Sequence, residues 1–143
     1  PAALGVAAHE CGHALQHQVA YQPLHWRMAA VGLTTYAQQL VLWVPVLGVV
    51  TGLLQPLVAA MVLAAAWGVI MLFNLVTLPV EFDASRRAKA VLRDLNLIAP
   101  GAEAVAVSKV LNAAAWTYVA AFVTSLVFFL WHLLPLLTGR SRD

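Results

Sequence analysis

At 143 residues the chain is the size of one domain, yet 62% of it is hydrophobic, 10% is charged and its mean hydropathy is +0.83. A soluble domain carries about 25% charged residues, so these figures exclude a water-soluble globule, and they exclude a disordered chain as well. Eight Lys and Arg against six Asp and Glu leave a net charge of +2 with no basic tract, which gives nucleic acid no electrostatic footprint, and the single cysteine, Cys11, excludes an internal disulfide or an all-cysteine zinc site.

In chain order, Pro1 to Val19 reads as an Ala-rich helix with Gly5 as its early weak point. Three apolar stretches follow, at about 31–54, 57–78 and 113–134. None contains Lys, Arg, Asp or Glu, and each approaches or exceeds the roughly 20 residues that cross a bilayer as a helix. Core helices of a soluble bundle are seldom so long and so free of charge. Gln55-Pro56 is the only break between the first two stretches, which predicts a tight helical hairpin. Pro45 is expected to kink the first by removing a backbone bond. Pro79 is expected to end or bend the second and to start a separate amphipathic helix over Val80–Leu95. Pro100-Gly101 marks a turn. The expected fold class is all-α: a polytopic membrane bundle of about three transmembrane helices plus two helices at the membrane surface. The chain opens at Pro1 without Met, so residues 1–143 are read as one membrane-embedded domain forming the C-terminal part of a longer protein.

Basic residues set the orientation. Arg27, Arg86, Arg87, Lys89, Arg93 and Lys109 fall on one side and Arg140 and Arg142 on the other. The excess places the first side, with the N-terminal helix, in the cytoplasm, as for a bacterial inner-membrane protein.

His9-Glu10-Cys11-Gly12-His13 spells H-E-x-x-H. Helical residues four apart share a face, so two imidazoles are brought to one zinc ion. Glu10 lies about 100° around the helix from His9 and roughly 60° from His13, beside the metal and free to act on water. A chance match on a helix surface is the bland alternative, weakened by the clustering of these groups in a charge-poor chain. A catalytic zinc takes three protein ligands and keeps an open position. The remaining acids are Glu81, Asp83, Asp94, Glu103 and Asp143. A hairpin that returns to its starting side delivers Glu81 to the histidines, with Asp83 as the fallback; the plain alternative for Glu81 is a helix-start charge favoured by the macrodipole. Tyr118, near the same end of the third stretch, is a candidate to stabilise the oxyanion, though interfacial tyrosines are commoner. His17 lies one turn beyond His13, as an outer partner or an interfacial residue; His25 and His132 read as interfacial. Arg86 and Arg87 suit either a substrate carbonyl or Glu10, or a basic face against lipid phosphate. Asn74 reads as a helix-contact residue, and Cys11 as small packing.

HECGHALQHQVAYQPLHWR, the apolar hairpin, then FNLVTLPVEFDASRRAKAVL and VLNAAAWTYVAA resemble the YugP-type zinc-dependent membrane peptidases over nearly the whole chain. The layout is also similar to that of the HtpX-type heat-shock proteases and the CAAX prenyl endopeptidases. The resemblance implies a gluzincin-like site with His9, His13 and Glu81 on zinc and Glu10 as general base, and an upstream transmembrane helix. Those relatives carry Asp four residues after the ligand glutamate, where this chain has Ser85; Ser85 or Asp83 is the candidate to orient a histidine instead.

The expected function is that of a membrane zinc metalloendopeptidase in the lipid bilayer, acting on a peptide or a membrane protein. Two alternatives stand beside it. One is a site-2-type intramembrane protease, echoed by Asn74-Leu75-Val76-Thr77-Leu78-Pro79. The other is a non-catalytic scaffold with a closed four-ligand zinc, completed by His17 or Asp83.

Overall fold

The computed structural model describes residues 2–139; Pro1, Asp143 and the two basic residues counted for the far side, Arg140 and Arg142, lie outside them. Among the described residues the chain forms four helices and no strand: α1 (Ala2–Gln18), α2 (Gln22–Thr51), α3 (Pro56–Asp94) and α4 (Ala102–Thr138). The all-α expectation is met, and α2, α3 and α4 are each long and apolar enough to cross a membrane. Their apolar faces have little protein to cover them. Val49 and Leu53 are each 86% exposed, and 6% of the most apolar stretch of α4 is buried, so the surroundings that suit this surface are acyl chains.

Helix ends follow local chemistry. α1 closes with Ala20 in the left-handed region (φ 52°), the Tyr21 amide donating to the Gln16 carbonyl and the Ala20 amide to that of His17. This is the paired C-terminal closure that usually employs glycine. α3 ends the same way through Asn96, which tolerates positive φ. α2 stops at Gly52 (φ 62°), and Pro56 opens α3, where its missing N–H is no loss.

Pro79 is where the helix boundaries differ from expectation. It does not end a helix: α3 runs unbroken from Pro56 to Asp94, so the separate helix over Val80–Leu95 is instead the last part of a membrane-length helix. One proline removes one backbone bond, and a membrane-length helix tolerates that when its flanking turns are held by neighbours. Pro45 and Pro135 are likewise inside α2 and α4.

The chain divides into two compact units. One holds residues up to Met28 and Val76–Ala120. Its core is Ala8 of α1, Ala88 and Leu92 of α3, and Val107 and Leu111 of α4. The buried side of α1 is Gly5, Ala8, Gly12 and Gln16, three small residues and one amide at helical spacing. Small residues let backbones approach. A Cβ on Gly12 would fall 2.9 Å from the Ala84 carbonyl carbon and closer still to its oxygen, so α1 meets α3 backbone to backbone at that point.

The other unit comprises Ala29–Leu75 and the chain from Ala121 onward. Here α2 and α3 pack through Ala37, Ala66 and Ile70. Trp67 stacks on Phe128 of α4, ring centroids 4.6 Å apart. Asn74 donates to the Ala121 carbonyl and the Ser125 hydroxyl of α4 at 3.1 and 3.0 Å, the helix-contact role expected of it.

Candidate metal centre

The site lies within the first unit and follows from two helix faces. On α1, His9 and His13 follow the buried Ala8 and Gly12 by one position, so both rings sit half-buried at the edge of the stripe that meets α3. On α3, Val80, Ala84 and Ala88 form the opposing stripe, and Glu81 and Ser85, one position on, flank it. The structure thereby brings His9, His13 and Glu81 together. His9 Nε2 is 3.0 Å and His13 Nε2 3.7 Å from Glu81 Oε2. One donor atom from each of the three lies within 4.8 Å of the others. The rings meet edge to face, centroids 4.7 Å apart.

Glu81 is 1% exposed, and a carboxylate removed from water needs counter-charge and hydrogen bonds. Arg27 on α2 supplies the charge, with Nη1 3.3 Å from Oε1, yet Oε1 takes no hydrogen bond. The pairing with Glu81 also raises the pKa of His13 above 6.5, the strongest effect on it, helped by Gln16 and opposed by burial.

Both imidazoles are held from behind. His9 Nδ1 is 3.2 Å from the Ser85 hydroxyl. His13 Nδ1 is 2.9 Å from Gln16 Oε1. Gln16, wholly buried, donates from Nε2 to the Val80 carbonyl (2.7 Å) and to Asp83 Oδ2 (3.0 Å). Asp83 in turn is paired with Arg86 and with Arg87, whose Nε lies 2.6 Å from Oδ2. The Arg87 guanidinium also sits over the Tyr21 ring, 5.8 Å from its centroid.

These donors suit a divalent cation. Tetrahedral zinc with bonds of about 2.1 Å separates its ligand atoms by roughly 3.4 Å, between the two distances seen here. Gln16 can only accept at Oε1, so His13 carries its proton on Nδ1 when neutral. Its Nε2 lone pair then faces a carboxylate oxygen, a convergence that a proton or a cation has to bridge.

The other residues singled out from sequence fall as follows. Glu10 is exposed on α1. Tyr118 is half-buried on α4, its hydroxyl within electrostatic reach of Glu81 and Glu10. Asp83 does not join the three-residue cluster, because Gln16 and the two arginines occupy it. Arg86 and Arg87 correspondingly serve Asp83. His17 and His25 are exposed, and His132 donates to the Phe128 carbonyl. Cys11 is exposed rather than packed, because it projects from α1 one position before the buried Gly12. Sequence reasoning passed over Gln16 and used Arg27 only as a charge to be counted. Gln16's one legible sign was its i+3 spacing from His13.

Comparison with known proteins agrees with this chemistry. The chain is 38% identical over 141 residues to a protein named "Putative membrane protease YugP" from Bacillus subtilis (strain 168), a match that covers 99% of this chain and 61% of that protein. The chain therefore spans less than two thirds of that relative's length. No solved structure matches significantly. Residues 1–137, including both histidines and Glu81, match the family described as "putative neutral zinc metallopeptidase", and it is to that zinc peptidase family that the chain belongs.

Proposed function

We propose that the chain carries the active site of a membrane-bound zinc metalloendopeptidase. His9, His13 and Glu81 hold the zinc, and Glu10 is the general base. The observation that carries this reading is the convergence of two imidazole nitrogens on one buried carboxylate oxygen. Zinc held there supplies Lewis acidity, lowering the pKa of water towards about 7 and polarising a carbonyl.

The chain's own residues do the rest. Glu10, exposed beside the histidines, takes a proton from the water that adds to the scissile carbonyl carbon. It then passes that proton to the amine as the C–N bond breaks. Tyr118 is the residue assigned to donate its hydroxyl to the carbonyl oxygen as that oxygen gains charge. Arg27 balances the Glu81 charge.

The substrate class is a peptide or membrane-protein segment reached at the bilayer surface. The side is cytoplasmic, inferred from the six basic residues of Arg27 to Lys109. The scaffold reading needed a fourth ligand from His17 or Asp83; His17 is exposed and Asp83 is committed to arginines, which favours the open, catalytic reading.

The test is a pair of variants in the purified full-length protein. Glu10→Gln is expected to keep stoichiometric zinc and lose peptide cleavage. Glu81→Ala is expected to lose the metal. Cleavage retained by a pure Glu10→Gln sample overturns the mechanism, and full zinc occupancy in Glu81→Ala moves the third ligand elsewhere.

A further inference from the structure

The geometry points to Gln16 as the positioning residue that makes His13 bind metal through Nε2, with Asp83 as its anchor. This rests on the reading of His9, His13 and Glu81 as a zinc site.

Gln16 has both ends of its amide specified. The Nε2 end faces two groups that can only accept, the Val80 carbonyl and the Asp83 carboxylate. The amide therefore cannot be turned round, and Oε1 is the atom presented to His13. An amide oxygen accepts only, so the His13 proton resides on Nδ1 and Nε2 is left to face Glu81. The choice of tautomer is made by α3, 67 residues away in sequence, and transmitted through one side chain.

The anchor is itself fixed. Asp83 holds Gln16 with the same oxygen that meets Arg87, and Arg86 takes the other. Arg87 lies over Tyr21, whose amide closes α1 on the Gln16 carbonyl. Gln16 is thus held at its backbone and at both ends of its side chain. The Ser85 hydroxyl, which can donate or accept, holds the His9 ring at Nδ1 without choosing its tautomer. The stretch Val80–Arg87 of α3 therefore supplies the carboxylate of the site and the groups that aim both imidazoles at it.

The experiment measures zinc affinity of the full-length protein in detergent, by competition with a chromophoric chelator. Gln16→Met keeps length and removes the acceptor; it is expected to weaken zinc about 10–100-fold, the usual effect of losing a group that orients a metal-binding histidine. In the zinc-loaded wild type, nitrogen NMR of the histidine rings is expected to show a slowly exchanging Nδ1 proton on His13, a reading that needs no variant to fold. Wild-type affinity in Gln16→Met, or ligation of His13 through Nδ1, overturns the role of Gln16 and leaves the zinc site standing. A wild type that binds no zinc overturns both.

Discussion

At the scale of single residues, the site is a contest for one carboxylate. Without metal, His13 is best placed when protonated, because Glu81 raises its pKa above 6.5. That pairing stabilises the metal-free chain below the ordinary histidine pKa and is lost as the pH rises through the raised value. Zinc requires the opposite state, a neutral ring. Zinc affinity is therefore expected to weaken as the pH drops through the raised value, because the metal must then displace a proton from His13. Chelator competition at graded pH reads this directly; an affinity that does not change between neutral and acid pH contradicts it. The histidines and Glu81 were legible from spacing and topology because their chemistry is rare in an apolar chain. Gln16 was not, since a glutamine in the polar run Gln16-His17-Gln18 at a helix end reads as surface. Only partners 64 and 67 residues away make it a buried junction.

At the scale of helices, the decisive contact is Gly12 on Ala84. Two helices that touch through their backbones hold His9 and Glu81 at a fixed spacing, and a methyl group there has nowhere to go. Gly12→Ala is expected to cost about 1–3 kcal/mol through overpacking and to reduce zinc occupancy by moving α1 off α3. Thermal unfolding and metal content measure the two effects. Cys11→Ser, on the exposed neighbour, is expected to change neither. The sequence showed where apolar helices lie and where the chain turns, at Gln55-Pro56 and Pro100-Gly101, but placed a joint at Pro79 where α3 has none. Proline rules describe a helix in isolation, whereas Pro79 lies between Thr77 and Val80, both buried and so held in place on either side of it. Ala20 adopts a left-handed backbone that its own side chain disfavours, held there by the two local hydrogen bonds that close α1.

At the scale of the whole molecule, the apolar face of three long helices and the side on which the site opens are separate questions. The lone cysteine answers the second. Cys11 is exposed next to His9 and His13, so an impermeant thiol reagent is expected to label it in inverted membrane vesicles and not in intact cells; mass analysis of the peptide that carries it reads the result, and labelling in intact cells reverses the orientation. The separation of the three candidate ligands along the chain has a further consequence. His9 and Glu81 are 72 residues apart, with all of α2 and the longest apolar run of α3 between them. During synthesis the histidines leave the ribosome long before Glu81, and the three groups can meet only once the intervening hairpin has been made. On the zinc-peptidase reading proposed above, metal capture is thereby a late event in biogenesis, withheld from the nascent chain.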